Sequence, residues 1–252
     1  MLITADAEGC WNPFENIQEF KSFKEIKTKE EAYEIGYSQG KLMKELGFNI
    51  NLAPVVDIKD TIWGCRSFEG NSKEISQKAN NYINGLQKSK IMATAKHYPG
   101  KTLIINDSHK VLTYAEIGEE DLIPFDEAIE NNVSAIMVSH LIVNGSVNSN
   151  FKPSDSSEEL IKELRSKYSG LIITDEINML GLKDYYKNKE KMYIELFKAD
   201  NDIILNFNRD AKEIYDMIKM VEKAVKKGEI KEERIDASLK RIFKAKGIKV
   251  ID

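Results

Sequence analysis

The chain has 252 residues, 42% hydrophobic and 31% charged, enough apolar residues for a full core and too many for general disorder. Its 37 Lys and Arg against 41 Asp and Glu leave a net charge of −4, which provides no basic field for capturing nucleic acid. No apolar run approaches the roughly 18 residues of a membrane-spanning helix, so no membrane partner is expected. Two cysteines, Cys10 and Cys65, cannot build a disulfide framework; reduced thiols in a cytoplasmic protein are expected. They form no zinc pattern with the three histidines. The N-terminus, Met1-Leu2-Ile3-Thr4-Ala5-Asp6, has neither a basic segment nor a full apolar segment, so no signal peptide is expected.

Apolar, strand-like runs alternate with amphipathic helical stretches. A short strand is predicted over 2–5. Helical periodicity over 30–46 places Ala32, Ile35, Leu42, Met43 and Leu46 on one face, with Gly47 as its stop. Residues 50–56 read as a strand, 72–86 as a helix and 91–95 as a strand. A helix over 119–130 precedes a strand over 133–138. Ser156 and Glu159 form a capping-box pattern for a helix ending at Tyr168. Then come a strand over 171–174, a helix over 189–199, a strand over 203–207, and helices over 211–227 and 232–246. This alternation predicts parallel strands with right-handed crossovers. Nearly continuous apolar runs fit strands buried on both faces. Six strands are counted, not eight. The expected fold class is α/β, a TIM-type barrel incomplete at its N-terminus, where the first β/α unit is missing. A single domain over 1–252 is expected, with no second C-terminal domain.

Polar, titratable groups recur where these runs end, as at the mouth of a parallel barrel. Asp175 follows Leu171-Ile172-Ile173-Thr174. A carboxylate there can attack an anomeric carbon, abstract a proton or bind a metal; as a helix N-cap it would do none of these. Asp107 and His109 lie two apart in an unpatterned loop, where a carboxylate can orient an imidazole and make it a general acid/base near neutral pH. Lys96 and His97 end a strand before Tyr98-Pro99-Gly100 and can donate hydrogen bonds to hydroxyls. Arg66 can clamp a polar ligand or pair with Glu69. Asp6 and Glu8 follow the first strand, either to bind substrate or to order their loop. His140 can line the site or buttress it.

Together these segments resemble the N-terminal catalytic domain of glycoside hydrolase family 3, most closely the bacterial β-N-acetylglucosaminidases. The resemblance runs through nearly the whole chain. It is carried by Asp6-Ala7-Glu8-Gly9, by Asn51-Leu52-Ala53-Pro54-Val55-Val56-Asp57 and by Arg66-Ser67-Phe68. The split motif Lys96-His97-Tyr98-Pro99-Gly100 with Asp107-Ser108-His109 is its most specific part. Met137 with His140, Thr174-Asp175-Glu176-Ile177-Asn178-Met179 and Arg234-Ile235-Asp236 follow in family order.

The resemblance implies a retaining exo-β-glycosidase that releases terminal N-acetylglucosamine, possibly from cell-wall fragments. Asp175 would be the nucleophile and His109 the acid/base polarised by Asp107. Asp6, Arg66, Lys96 and His97 would hold sugar hydroxyls. No metal or organic cofactor is implied, and the partner is a small carbohydrate. Two segments depart from the family. Lys101-Thr102-Leu103-Ile104 stands where His-Gly-Asp-Thr is usual, and Glu8-Gly9-Cys10-Trp11 where Glu-Gly-Gly-Arg is usual. Leu103, Ile104 and Ile105 are expected to pack down, drawing His109 away from Asp175 in the absence of substrate. Alternatives are another β-glycosidase or a glycoside phosphorylase of the family, or a catalytically silent sugar-binding remnant.

Overall fold

The computed structural model describes residues 1–103 and 111–249. They fall into two compact units, one of residues 1–103 and 117–137, the other of residues 111–116 and 138–249. Asp107 and His109, with Ile104, Ile105 and the expected resting place of their loop, lie outside the described residues. Leu103 is described and is buried.

In the first unit, β1 (Thr4–Ala5), β2 (Ile50–Asn51), β3 (Met92–Tyr98) and β5 (Ala135–Val138) lie in that order in one sheet. The register of the first three is parallel, Thr4 beside Ile50 and Ile50 beside Met92. Strand β3 is longer than its apolar run predicts: Lys96 and His97 lie inside it. Residues 50–56 form only a two-residue strand and a bridge from Val55 to Lys96, with Pro54, which has no N–H to offer a ladder, between them.

Helices α1 (Lys29–Glu45), α2 (Ser72–Lys88) and α3 (Glu119–Glu130) belong to the first unit. Gly47 lies just past α1 with φ +88°, the left-handed stop its position implies. The first two helices approach so closely that a Cβ on Gly36 would strike the Tyr82 carbonyl. This seats Tyr82 at the centre of the unit, where its hydroxyl meets Asn51 Nδ2 at 3.0 Å.

The second unit contains β4 (Tyr114–Ile117, save its last residue), β6 (Ile142–Gly145) and β7 (Leu171–Thr174). Strands β4 and β6 form a separate two-stranded sheet that apolar periodicity did not predict. Helices α4 (Glu158–Lys167), α5 (Leu180–Tyr186), α6 (Lys189–Lys198), α7 (Ala211–Lys226) and α8 (Glu232–Ala245) complete it. The α4 cap is Ser157, whose hydroxyl accepts from Leu160 N, rather than the expected Ser156. Ser156 is buried in a 3-10 turn one residue earlier. The strand expected over 203–207 is a single bridge from Ile203 to Ile173. Beyond it, Leu205 N donates to Thr174 Oγ1 and Phe207 N to Glu176 Oε1, while Leu205 O still accepts from Ile177 N.

The cysteines are not free thiols. Cys10 and Cys65 form a disulfide across 55 residues, which corrects the expectation of reduced thiols. Closing a loop of that length restricts the unfolded chain by about 4 kcal/mol. Cys10→Ser, or reduction, should therefore lower unfolding free energy by about 2–4 kcal/mol, measured by urea titration with and without reductant. An unchanged midpoint would mean that the bond contributes nothing.

Candidate active site

In the first unit, Asn51 holds the exit of β1. Its Oδ1 accepts from Ala7 N at 2.9 Å and its Nδ2 donates to Ala7 O at 3.1 Å. The backbone on either side of Ala7 is thereby fixed, and so are Asp6 and Glu8. Lys96 extends from β3 to both carboxylates: its Nζ lies 2.6 Å from Asp6 Oδ1 and also contacts Glu8 Oε1. Arg66 grips Glu8 with both arms of its guanidinium, Nε to Oε2 at 2.6 Å and Nη2 to Oε1 at 2.9 Å. Glu69, the partner considered for Arg66 from sequence, pairs with Lys27 instead.

The cluster holds two cations and two anions, yet only Asp6 is substantially open. Glu8 and Lys96 are each 1% exposed, whereas the Asp6 side chain is 43% exposed. Burial alone would raise the Glu8 carboxyl; Lys96 and Arg66 outweigh it and hold the group below its ordinary value. Burial likewise opposes charge on Lys96, but Asp6 and Glu8 hold its value above the ordinary one. Glu8 thus orders the loop, and Asp6 is the member that can accept a hydrogen bond from a ligand. His97, adjacent to Lys96, is buried with Nδ1 3.1 Å from Asp57 Oδ2. Asp57 Oδ1 accepts from Thr102 N at 3.2 Å, and burial pushes the Asp57 carboxyl up to about 8.

In the second unit, Asp175 leaves the end of β7 half-buried. Its N–H donates to Val138 O at 2.9 Å, and its Oδ1 accepts from Glu176 N at 2.8 Å. It does not cap a helix, because α5 begins only at Leu180 after Met179. Glu176 is occupied: its Oε1 accepts from Asn178 Nδ2 at 2.6 Å and from Phe207 N.

His140 is buried near the end of β5, with Nδ1 2.9 Å from Asp155 Oδ2 and Nε2 2.9 Å from Glu176 O. Nε2 is within hydrogen-bond distance of the Glu176 carbonyl, whereas Nδ1 is close to Asp155 without hydrogen-bond alignment, an ion-pair contact that favours the charged ring. Burial would lower its value; Asp155, and then Asp175, outweigh that and push it up to about 9. Asp155 sits in the buried turn Ser154–Ser156, where Asn201 Nδ2 donates to its carbonyl at 2.7 Å.

These shifts predict alkaline sensitivity. His140 has a raised folded value, so its stabilisation is complete below about pH 6.5 and is lost as pH rises through about 9. Asp57 has the same sign, its contribution being lost as pH rises through about 8. Urea unfolding at pH 7 and pH 10 should differ by on the order of 3 kcal/mol, and His140→Gln should flatten that slope. A profile equally steep without His140 would assign the loss elsewhere.

The structure therefore brings Asp6, Arg66 and Lys96 together through Glu8, and sets Asp175 beside a buried His140 cation. Glu8 takes the loop-ordering role that the sequence offered it, whereas Asp57 and Asp155 act as partners that sequence reading did not single out. Asp57 had one available signal: it closes the Asn51–Asp57 motif. Asp155 had none, being one polar residue in a serine-rich stretch. Among the described residues no group of three His, Cys, Asp or Glu side chains is arranged to hold a metal ion.

Residues 3–245 match the family model described as the glycosyl hydrolase family 3 N terminal domain. Beta-hexosaminidase LpqI of Mycobacterium tuberculosis is 27% identical over 239 residues, covering 88% of this chain and 60% of that protein. Beta-hexosaminidase A of Pseudoalteromonas piscicida is 26% identical over 242 residues, covering 85% of this chain and 40% of that one. This chain thus spans 40–60% of the length of these two relatives. Among solved structures, a family 3 beta-N-acetylglucosaminidase from Paenibacillus sp. FPU-7 aligns with a TM-score of 0.87 at 27% identity, over 98% of this chain and 50% of that one. The fold class is accordingly α/β, of the parallel-stranded TIM-barrel type. It is partial, with fewer than eight parallel strands among the described residues.

Proposed function

The chain belongs to the glycosyl hydrolase family 3 N-terminal domain family, and we propose that it is a retaining exo-β-glycosidase acting on terminal N-acetylglucosamine. The observation that carries this reading is Asp175. It stands at the C-terminal end of a buried strand with one carboxylate oxygen held by Glu176 N and a buried cation, His140, attracting it. Such a carboxylate is oriented for attack and needs no further ordering.

The reaction runs as a double displacement. The Asp175 carboxylate forms a bond to the anomeric carbon while the glycosidic C–O bond breaks. His109, partnered by Asp107, gives its proton to the departing oxygen. Water then attacks the same carbon, His109 takes the water proton, and Asp175 leaves as a carboxylate. Asp6 accepts from a sugar hydroxyl and is placed by Lys96, whose Nζ lies 2.6 Å from its Oδ1; Arg66, Lys96 and His97 complete the proposed sugar-binding set. His140 supports the nucleophile through its contact with the neighbouring Glu176 carbonyl. No cofactor takes part in this scheme.

Cell-wall fragments are a source of such terminal sugars and are the proposed substrate class. Among the described residues no helix is long and apolar enough to cross a membrane. The expectation of a cytoplasmic protein leaned on free thiols; the Cys10–Cys65 bond supports an oxidising compartment instead. The test of function is the first-formed product. Proton NMR during hydrolysis of a chromogenic N-acetyl-β-glucosaminide should reveal the β-anomer first. The α-anomer first would exclude a glycosyl-enzyme at Asp175, and hydrolysis that proceeds only with phosphate present would indicate a phosphorylase.

A further inference from the structure

Helix α5 begins five residues after Asp175, and its second residue is the buried Gly181. Within a helix, glycine is less favourable than alanine by about 0.5–1 kcal/mol, so the helix itself gives no reason for it. The reason is the neighbouring chain. A Cβ on Gly181 would stand 2.8 Å from Val111 O, 3.0 Å from Val111 C and 3.1 Å from Leu112 N. All three are backbone atoms, so no side chain can turn aside to make room. Gly181 is where one backbone passes directly over another.

The helix cannot retreat. Leu182, the next residue, is fully buried in one apolar cluster with Ile177, Tyr186, Met192 and Leu196. Ile177 is two residues from Asp175, so the same cluster pins α5 and the segment that carries the carboxylate. The facing segment is tied down as well. Thr113 folds back on it, Oγ1 donating to Val111 O at 3.3 Å, and Ile142 N donates to Thr113 O at 3.0 Å. Leu141, beside Ile142, accepts from Ser154 N and Oγ at 2.8 and 2.7 Å, in the turn that carries Asp155. Residues 111–113 are therefore seated between the start of α5 and the start of β6, the elements that follow Asp175 and His140.

Val111 follows His109 by two residues, at most about 7 Å of extended chain. We infer that Gly181 is a positioning residue of the proposed reaction: lacking a Cβ, it lets the chain that leaves the acid/base pack directly on the chain that leaves the nucleophile, and this contact sets their spacing. The inference rests on the proposed roles of Asp175 and His109. Carbon contacts settle at about 3.5–4.0 Å, so a methyl at position 181 drives the Val111–Leu112 backbone outward by on the order of 1 Å. A displacement of that size near a reacting group costs up to about 10²-fold in rate. The nucleophile, pinned through the core, stays in place. The loss therefore falls on proton donation, and on those leaving groups that need a proton.

Measuring kcat/KM, which covers the steps through formation of the glycosyl-enzyme, on two substrates tests this. The sugar alkoxide of N,N′-diacetylchitobiose needs a proton to leave; the phenolate of 2,4-dinitrophenyl N-acetyl-β-glucosaminide does not. Gly181→Ala should lower kcat/KM by about 30-fold for the first and by less than about threefold for the second. Thr113→Val removes the hydroxyl bonded to Val111 O without adding bulk. It should show the same bias at about fivefold, and it decides the matter if Gly181→Ala does not fold. His109→Ala is the reference for a lost acid. Bias in His109→Ala, with equal or negligible losses on the two substrates in Gly181→Ala and Thr113→Val, would overturn the positioning role and leave the reaction scheme intact. Absence of bias in His109→Ala, or no turnover of either substrate by the parent, would overturn the scheme and the inference with it.

Discussion

Asp175→Asn is expected to lower turnover of an N-acetyl-β-glucosaminide by on the order of 10⁴-fold, the scale seen when one member of a covalent catalytic unit is lost. The amide is nearly isosteric with the carboxylate. Its oxygen can still accept from Glu176 N, as Asp175 Oδ1 does at 2.8 Å. What it loses is the negative charge that attacks the anomeric carbon and opposes the oxocarbenium charge of the transition state. The thermal midpoint should move little, because the side chain is only half-buried. Asp175→Ala opens space for a small external nucleophile. Azide should then restore part of the turnover and yield a glycosyl azide of inverted configuration, which a purely structural Asp175 would not do. Activity in Asp175→Asn within tenfold of the parent would remove Asp175 as nucleophile.

The second large effect is on stability. Glu8→Ala should cost about 3–5 kcal/mol, the range for removing one partner of a buried ion pair. Two buried cations, Lys96 and Arg66, converge on Glu8. Without it, Arg66 loses a bidentate partner, and among the described residues Lys96 keeps Asp6 as its one carboxylate. Against a total stability of roughly 5–15 kcal/mol, that is a large fraction. Asp6→Ala should cost about 1 kcal/mol or less, because its carboxylate is partly in water, but should raise KM strongly. Urea unfolding and steady-state kinetics on both variants separate the roles. Equal stability losses would mean that Asp6 is as structural as Glu8. The sign with pH follows from the lowered Glu8 value: its contribution is present above about pH 4.5 and is lost as pH falls through the lower folded value.

Local pattern made much of the chain legible. Apolar runs closed by polar groups located β3, β5 and β7 within a few residues, because strand burial is written in consecutive side chains. Gly47 marked the end of α1 because a left-handed stop is a property of one residue. The position of Asp175 after Leu171–Thr174 located the proposed nucleophile for the same reason. The sequence motifs also carried the family, since the Lys96–Gly100 segment and its neighbours occur in family order.

Pairing across the chain was decided only by the tertiary structure. Arg66 had Glu69 three residues away and chose Glu8, 58 residues away, because Glu8 is buried and needs a fixed cation. Cys10 and Cys65 became partners when the loops after β1 and β2 met. The roles of Asp57 beside His97 and of Asp155 beside His140 arise from contacts between residues 40 and 15 positions apart. In the strand-like residues 204–207, the N–H groups of Leu205 and Phe207 turn to the Thr174 and Glu176 side chains. Apart from the disulfide, each is a polar group that must be satisfied by whatever the fold brings near it. A linear sequence fixes the group but not its neighbour.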